Sequence, residues 1–337
     1  MTIIALDAMG SDEFPVPDVT GAVDAAREYG VEVILVGDEA RIKPVLDGLN
    51  PGSLPVRIVH APEMLTMEDK GVALALKARR PNAKNSMAVG IDLVKNGQAD
   101  AFVTAGNTGA ALATAYFRLG TIEGVDLPAL APVFPTATGS CVVLDIGANP
   151  DVKPDNLRQF AIMGSIYAEK VRGIKQPKVG LLSNGEEEGK GNSLVREATP
   201  LLKGAGLNFF GNVEGKEVIG GKVDVAVTDG FTGNIMLKSS EAVAKLIVDK
   251  IKESIKTGGP LALLGGMLVK PALGKIKKLL DPAEEGAAPL LGVNGLVFIG
   301  HGRSDAFAIK NAIRVAKNAA EAKVLAAMRD GVAERLR

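Results

Sequence analysis

A glycine-rich loop that carries a single lysine follows an apolar run in the middle of the chain. The run covers residues 179–182, and the loop after it reads Ser-Asn-Gly-Glu-Glu-Glu-Gly-Lys-Gly-Asn. Glycines let a backbone bend tightly and bring its N–H groups close to an anion. Lys190 adds a mobile positive charge, so the loop is typical of a site for a small oxyanion. Taken alone, the same residues would rather indicate a solvated surface turn.

Five other predicted strands also end in small, polar, glycine-bearing loops. These loops contain Asp7/Gly10/Asp12, Gly106/Asn107/Thr108/Gly109, Asp145/Gly147/Asn149, Asp229/Gly230/Thr232/Asn234 and Gly300/His301/Ser304. In an open parallel sheet, ligands bind at the carboxyl ends of the strands, where helix N-termini point at them. Ordinary turns explain the glycines but not the recurring asparagine and threonine. We therefore expect six loops at one sheet edge that bind a small oxyanion such as phosphate.

The elements that must position these loops alternate along the chain as short apolar runs and helical patterns. The runs, such as residues 3–6, 101–104 and 141–144, are continuously apolar. This is typical of parallel strands covered on both faces, so the fold class is α/β. Since no linker interrupts the 337 residues, we predict a single unit over residues 1–337. Its last helix is expected to be capped by Ser304 and to run to about residue 329.

Composition argues against several classes of protein. Basic and acidic residues number 39 each, and aromatic residues make up 4% of the chain. We therefore predict no nucleic-acid partner. The one cysteine, Cys141, lies inside a predicted strand and is expected to be a buried, inert thiol. With no basic leader at the N-terminus and no cysteine pair, we predict a cytoplasmic protein.

Motifs for cofactors, metals and covalent catalysis are also missing. The sequence contains no G-x-G-x-x-G and no G-x-S-x-G. Lys190 resembles the lysine of a P-loop, but Gly191 stands where that motif requires serine or threonine. His60 and His301 are the only histidines, and no Cys/His spacing indicates zinc. We predict no cofactor and no metal, and phosphate bound as a reactant.

Residues 258–280 form an apolar stretch that the strand and helix pattern does not explain. Between Lys256 and Lys270 lie 13 uncharged residues, fewer than the roughly 20 that cross a bilayer as a helix. We expect a flexible segment over 258–269 and a short helix from Pro271, either as an interfacial membrane anchor or as a protein-docking tip. A dimer contact or a core helix is the alternative. The tip residues would be Leu263, Leu264, Met267, Leu268, Leu273 and Ile276.

Seven segments together resemble one family, the bacterial acyl-ACP:phosphate acyltransferases (the PlsX family). They are DAMGSD (7–12), VTAGNTGA (103–110), LDIGAN (144–149), GEEEGKGN (185–192), NFFGNVEG (208–215), DVAVTDGFTGNIMLK (224–238) and PLLGVNGLVFIGHGRSDAFAIKNAI (289–313). They run through the chain in the family's order. Departures are mild, for example Ser11 where the family usually has glycine.

The resemblance implies a fold, a reaction and partners. The fold would be a Rossmann-like parallel-sheet sandwich similar to isocitrate and isopropylmalate dehydrogenases and phosphotransacetylases. The reaction would convert acyl-ACP and inorganic phosphate to acyl phosphate and free acyl carrier protein, for phospholipid synthesis. Members are dimeric and peripheral to the membrane. Contact with the downstream glycerol-3-phosphate acyltransferase is therefore expected, as is a homodimer with peripheral membrane association.

The resemblance also implies roles for the loop residues. Lys190 and Asn234 would be catalytic and stabilise the phosphate or the developing oxyanion. The residues expected to bind substrate and phosphate are Asp7, Gly10, Asn107, Thr108, Asn184, Asp229, Thr232, His301 and Ser304. For Asp7 and Asp229, stabilisation of their own loops is an equally weighted alternative.

Three other functions remain open from the residues. A short-chain phosphate acyltransferase that uses coenzyme A would need neither a carrier protein nor the 258–280 stretch. A metal- and NAD-dependent decarboxylating dehydrogenase would need clusters of aspartate and arginine that the sequence does not show. A membrane-associated acyl-carrier scaffold without catalytic activity would need the apolar stretch but not Lys190.

Overall fold

The computed structural model describes residues 1–66 and 68–336, which form two β-sheets flanked by helices. The large sheet has the strand order β3-β2-β1-β4-β12-β11-β5. Its strands are β1 (Ile3–Asp7), β2 (Glu32–Gly37), β3 (Val56–His60), β4 (Ala101–Thr104), β5 (Ala129–Leu130), β11 (Ala287–Leu291) and β12 (Val297–Gly300). The first five strands of this order are parallel, whereas β11 and β5 run antiparallel to their neighbours.

The small sheet has the strand order β6-β7-β10-β8-β9. Its strands are β6 (Val133–Thr136), β7 (Gly139–Leu144), β8 (Val179–Leu182), β9 (Phe209–Val213) and β10 (Val225–Val227). Only the edge strand β6 is antiparallel to its neighbour. The predicted α/β class is therefore correct, but the chain forms two sheets where one was expected.

Helices cover both sheets and follow most of the parallel strands. They are α1 (Val16–Tyr29), α2 (Glu39–Gly48), α3 (Gly71–Arg79), α4 (Ser86–Lys95), α5 (Thr108–Leu119), α6 (Pro154–Arg172), α7 (Ser193–Lys203), α8 (Gly215–Gly220), α9 (Gly230–Thr257), α10 (Gly259–Leu279), α11 (Ala306–Glu321) and α12 (Val324–Arg335). The largest apolar cluster contains residues of both sheets, including Leu6, Phe298 and Leu144. One continuous core thus joins the two sheets.

Two details of the last helix differ from the sequence expectation. Asp305, not Ser304, caps α11, because its Oδ1 accepts a hydrogen bond from the backbone N–H of Ala308 at 2.9 Å. The helix then breaks at Lys323, whose φ of 53° lies in the left-handed region. The N–H groups of Ala322 and Lys323 donate to the carbonyls of Asn318 and Ala320, which ends α11, and α12 begins as a separate helix after the break.

The apolar stretch is more regular than expected. Helix α10 runs without interruption from Gly259 through Pro271, so the prediction of a flexible 258–269 segment was wrong. Gly266 lies against Ile255, which allows α10 to pack closely along α9. The two helices form a hairpin (residues 230–279) with no buried residue beyond Gly233. Among the described helices, none is long and apolar enough to cross a bilayer.

The buried carboxylate of Asp145 joins the two sheets. Its Oδ1 accepts a hydrogen bond from the backbone N–H of Leu130 in β5 at 2.9 Å, and its Oδ2 accepts one from the N–H of Asn149 at 2.6 Å. The start of α9 packs on the same residue, because a Cβ at Gly230 would lie 2.7 Å from Oδ2. A Cβ at Gly233 would overlap the Asp145 carbonyl oxygen. The start of α9 can therefore reach this junction only with glycine at these positions.

A methyl group at Gly233 tests the junction. Gly233→Ala should lower the free energy of unfolding by about 2 kcal/mol, the scale of overpacking a filled site, because the Asp145 backbone cannot move away. The matched control is Gly265→Ala in α10, where a Cβ meets nothing within 4 Å and where alanine should stabilise the helix by about 0.5–1 kcal/mol. Urea unfolding followed by circular dichroism measures both. Equal effects in the two variants would contradict this packing.

Candidate functional site

The predicted loops lie at two neighbouring sheet edges. Strands β1, β4 and β12 are parallel neighbours in the large sheet, so the loops after them share one edge. Strands β7, β10 and β8 do the same in the small sheet. The six loops therefore form two groups of three, which meet where Asp145 binds β5.

In the large-sheet group, Asp7 is buried and stabilises its own loop. Its Oδ2 accepts a hydrogen bond from the Thr104 hydroxyl at 2.8 Å, and its Oδ1 accepts one from the N–H of Met9 at 3.1 Å. Burial raises the pKa of this carboxyl, and these hydrogen bonds lower it by a smaller amount. Gly10 approaches the next loop so closely that a Cβ would lie 2.9 Å from the Gly106 nitrogen. The geometry of Asp7 thus favours the loop-stabilising alternative.

In the loop after β4, Asn107 and Thr108 have different roles. The Asn107 Oδ1 caps α5 by accepting from the N–H of Ala110 at 3.0 Å, and its Nδ2 donates to the Thr66 carbonyl at 3.0 Å. Its side chain is therefore committed to the fold. Thr108 begins the helix, where first-turn N–H groups lack intrahelical acceptors and favour an anion. In the described chain, no hydrogen bond occupies its hydroxyl.

In the small-sheet group, the loop over residues 183–192 is closed by Asn184. Its Oδ1 accepts a hydrogen bond from the N–H of Gly191 at 2.9 Å. The stem of Lys190 packs on Gly185, where a Cβ would lie 2.8 Å from the lysine Cγ. The ammonium group is exposed and makes no salt bridge within the part of the chain that the structure describes. This leaves Lys190 as a cation that is available to a ligand.

The three acids beside Lys190 fasten the loop to its surroundings. Glu186 pairs with Lys216 at 3.3 Å, and Glu188 pairs with Lys203 of α7. The Glu187 carbonyl accepts a hydrogen bond from the Asn212 side chain at 3.0 Å. These contacts hold the loop in place, which a solvated turn would not require.

Three carboxylates near this loop come close enough to share a cation, namely Glu186, Glu214 and Glu217. Lys216 lies among them, 2.5 Å from Glu214 and 3.7 Å from Glu217. Lys222 also pairs with Glu217, at 3.3 Å, so two ammonium groups offset most of the negative charge of the three carboxylates. The cluster therefore has a structural explanation as an ion-pair network.

Helix α9 begins with the cap residue Asp229, and the predicted catalytic residue Asn234 follows in its first turns. Asp229 accepts hydrogen bonds from the Thr232 N–H at 2.8 Å and from its hydroxyl at 2.7 Å. These two side chains satisfy each other, which favours a structural role for both. Asn234, one turn later, is half-buried and lies against Gly147, 3.5 Å from its Cγ to an ideal Cβ position there. A Cβ at residue 147 would make ordinary van der Waals contact with Asn234, and it is the positive φ of 85° that favours glycine there.

His301 follows β12 and faces the first turns of α9. Desolvation by the surrounding protein lowers its pKa, and the positive charge of Arg303 acts in the same direction. The negative charge of Glu241 on α9 opposes this shift. The imidazole is therefore neutral at neutral pH. Ser304 is buried beside it, and its N–H donates to the His301 carbonyl at 2.9 Å.

A large groove opens next to His301 and runs beneath the α9–α10 hairpin. Its volume is about 1510 Å³, and its lining includes Thr108 and His301 from the large-sheet group and Ile146 from the small-sheet group. Lys190 is not part of this lining. The groove thus brings together Thr108, His301 and α9 from Leu237 onwards, and Lys190 lies on the loop after β8, the strand next to β10.

Two residues near the site had no predicted role. Asp145 was named only as a strand-end residue, yet burial raises its pKa to about 6 and it holds both sheets together. Glu241 lies inside a helix that the sequence treats as a scaffold, and only the fold brings it near His301. The isolated acid at a strand end was the one available signal for Asp145. Cys141 is buried as predicted, and burial raises its pKa to about 12.

The buried carboxyl of Asp18 supports the loop after β1. The Ser11 hydroxyl donates to Asp18 in α1 at 2.5 Å, and the other Asp18 oxygen has no partner among the described residues. Burial raises the pKa of Asp18 to about 7, and the nearby charge of Asp7 adds to the shift. The adjacent Asp12 N–H donates to the Gly302 carbonyl at 2.7 Å, which links this loop to the loop of His301.

Comparison with known proteins identifies close relatives. A family model described as "Fatty acid synthesis protein" matches residues 2–327. The phosphate acyltransferase of Acidobacterium capsulatum is 50% identical over 96% of this chain and 95% of its own length. The phosphate acyltransferase of Elusimicrobium minutum is 48% identical over 98% and 96%, respectively.

Solved structures of lower identity share the fold. The EutD phosphotransacetylase from Staphylococcus aureus matches with a TM-score of 0.60 at 17% identity, over 95% of this chain and 94% of its own. A 4-hydroxythreonine-4-phosphate dehydrogenase from Klebsiella pneumoniae matches with a TM-score of 0.54 at 14% identity, over 95% and 100%. The predicted Rossmann-like sandwich is thereby confirmed.

The buried Asp18 predicts a pH dependence of stability. Because its folded pKa is raised, the folded protein keeps a proton between about pH 4 and pH 7 that the unfolded chain has lost. The wild-type free energy of unfolding should therefore rise, relative to Asp18→Asn, by about 2–3 kcal/mol from pH 8 to pH 5. Asp24→Asn, on the more exposed side of α1, is the matched control. Urea unfolding at both pH values measures this, and a pH-independent difference for Asp18→Asn would contradict it.

Proposed function

The chain belongs to the phosphate acyltransferase family of fatty acid synthesis proteins, and we propose that it transfers a fatty acyl group from acyl carrier protein to inorganic phosphate. The products are an acyl phosphate and the free carrier thiol, and the acyl phosphate serves phospholipid synthesis. The observation that carries the proposal is that helices α5 and α9 both begin at the joined sheet edges, next to the loop that carries the exposed Lys190.

In the proposed reaction, a phosphate oxygen attacks the carbonyl carbon of the thioester. The first-turn N–H groups of α5 at Thr108 hold the phosphate, since helix N-termini favour anions. The carbonyl oxygen becomes an oxyanion, which Lys190 and Asn234 stabilise. The C–S bond then breaks, and the carrier leaves as a thiolate that takes up a proton. Positioning of a nucleophile that is already charged supplies much of the rate.

The nucleophile in this proposal is phosphate itself and not a side chain. Cys141 is buried, and its raised pKa of about 12 keeps it protonated. The neutral imidazole of His301 is suited to a hydrogen bond with phosphate or carrier rather than to protonation of the thiolate as an imidazolium. Gly10, Asn107, Asn184, Asp229 and Thr232 support the site by holding the loops in shape, and Asp7 and Ser304 lie behind it.

We also propose that the exposed side of the hairpin mediates the contacts of the enzyme. Five of the six tip residues are exposed, and Leu273 is half-buried. Lys275, Lys277 and Lys278 on the same helix add positive charge, which suits an anionic membrane surface or an acidic carrier protein. The proposed partners are acyl carrier protein, a second subunit in a homodimer, the membrane and the downstream glycerol-3-phosphate acyltransferase.

The short-chain enzyme that uses coenzyme A remains the second candidate for the donor. Its fold would be the same, because the solved phosphotransacetylases share it. The exposed apolar hairpin favours a carrier protein and a long-chain product, since a soluble short-chain reaction does not require such a surface.

Loss of the Lys190 ammonium group should abolish most turnover. We expect Lys190→Ala to lower kcat about 10²–10³-fold, the effect of removing one oxyanion donor, with unchanged unfolding. Acyl phosphate formed from palmitoyl-ACP and phosphate is trapped with hydroxylamine and counted as hydroxamate. The matched control is Lys175→Ala, an exposed lysine that precedes β8 at the opposite end of the strand. Near wild-type kcat in folded Lys190→Ala would remove this residue from the mechanism.

A charge on the hairpin should weaken membrane contact. Leu268 in α10 is 76% exposed, and Val72 in α3 is 78% exposed, so Leu268→Asp and Val72→Asp are matched in exposure. We expect Leu268→Asp to reduce flotation with vesicles that contain phosphatidylglycerol at least about tenfold, whereas Val72→Asp should float like wild type. Absence of wild-type flotation would exclude the lipid contact. Conversion of Leu268→Asp to a monomer in ultracentrifugation would assign the surface to the second subunit.

A further inference from the structure

The groove beneath the hairpin is large, and the proposed attack of phosphate on the thioester uses only the residues at one end of it. Its floor consists of strand residues at the junction of the two sheets, including Val133, Phe134 and Ala288. Its roof consists of α9 and the second half of α10. The volume of about 1510 Å³ exceeds the roughly 300–1,000 Å³ of common small-molecule pockets.

One stripe of α9 faces this groove along most of the helix. Leu237, Ala244, Val248 and Ile255 all contribute to the lining and are half-buried, at spacings of seven, four and seven residues. These spacings keep them on one side of a helix. At about 1.5 Å per residue, the stripe is roughly 27 Å long. The groove is therefore an elongated apolar channel rather than a rounded cavity.

The two ends of the channel differ in chemistry. At the start of α9 the lining contains Thr108, His301 and Glu241, which are the polar groups of the candidate site. At the other end Gly266 lies against Ile255, so α9 and α10 close on each other. A ligand in the channel thus has its polar end at the reacting groups and its apolar end near the hairpin turn.

The charged groups of the lining lie mainly around its apolar stretch. Arg172 and Glu285 pair with each other at 3.1 Å, and the lysines of the lining come from the end of α9 and from the second half of α10. The stripe of α9 between Glu241 and Lys252 contributes only apolar side chains to the lining. Such walls suit a hydrocarbon chain, whose binding depends on apolar area removed from water.

We infer that this channel binds the fatty acyl chain of the substrate, with the thioester at His301 and the chain end towards Ile255. The inference rests on the proposed function, because it places the acyl group of that reaction. The channel is distinct from the outer face of the hairpin formed by Leu246, Leu264 and Leu268, which are exposed and do not line it, whereas Leu273 and Ile276 belong to its lining. Contacts with a membrane or a second subunit through that outer face leave the channel open.

A bulky side chain halfway along the channel should shorten the accepted acyl chain. Ala244 lies seven residues beyond Leu237, or about 10 Å along α9, so Ala244→Trp should obstruct a palmitoyl chain but not a butyryl chain. We expect the ratio of kcat/KM for palmitoyl-ACP to that for butyryl-ACP to fall about tenfold or more, the scale of a lost methylene contact. Lys245→Trp is the matched control, since its side chain is exposed and not in the lining.

A binding measurement separates this inference from the catalytic proposal. The fluorescent fatty acid cis-parinaric acid reports on an apolar channel without any turnover. Wild type and Lys245→Trp should bind it with the same Kd, and Ala244→Trp should bind at least about tenfold more weakly. If the wild-type protein transfers no acyl group to phosphate, the proposed function is wrong. The binding of cis-parinaric acid to wild type and to Ala244→Trp then tests by itself whether the channel binds an acyl chain.

Several results would overturn the inference. An unchanged chain-length ratio with unchanged probe binding in Ala244→Trp would show that no acyl chain enters the channel. An equal loss for palmitoyl and butyryl substrates, with unchanged probe binding, would also place the acyl chain outside the channel. If Ala244→Trp converted a dimer to a monomer in ultracentrifugation and left probe binding unchanged, the channel would belong to a subunit interface. Val248→Trp, one turn further along, serves as a second variant if Ala244→Trp does not fold.

Discussion

The carboxylate of Asp145 is the contact on which the arrangement of the site depends. It follows β7 of the small sheet, accepts a hydrogen bond from Leu130 of the large sheet, and supports the first turn of α9 through Gly230 and Gly233. Burial raises its pKa to about 6 despite the N–H donors around it. A buried carboxylate is stable only when such donors surround it. This one acid therefore fixes the position of two sheet edges and one helix relative to each other.

The functional geometry follows from this junction. With the two edges joined, Thr108 at the start of α5, His301 and α9 from Leu237 onwards line the same groove. The loop of Lys190 is held separately by ion pairs from its acids to α7 and to Lys216. A rigid loop with an exposed ammonium group requires little reorganisation when an anion binds, which is the condition for electrostatic catalysis. In the proposed reaction, helix α9 contacts both ends of the substrate, because it begins beside the strand-end loops and continues as the roof of the groove.

The sequence predicts the strands and the polar loops well because parallel strands buried on both faces are continuous apolar runs. It does not predict that these strands divide between two sheets, since β5 and β11 are short antiparallel strands without a distinct pattern. The sequence also does not distinguish polar residues that cap a helix or close a loop from polar residues that bind a ligand. Asn107, Asn184 and Asp229 cap or close their own loops, and the same residue types bind phosphate elsewhere. The role of Asp145 and the channel under the hairpin depend on contacts between distant segments, which local pattern does not report.

The most direct test of the central claim is the dependence of thiol release on inorganic phosphate. The purified enzyme is mixed with palmitoyl-ACP, and free carrier thiol is counted with phosphate present and with phosphate omitted. If phosphate is the nucleophile, thiol should appear only when phosphate is present, in equal amount to acyl phosphate, and more slowly when palmitoyl-CoA replaces the carrier. Thiol release at the same rate without phosphate would mean that water attacks the thioester, and the assignment of the strand-end loops to phosphate would be wrong.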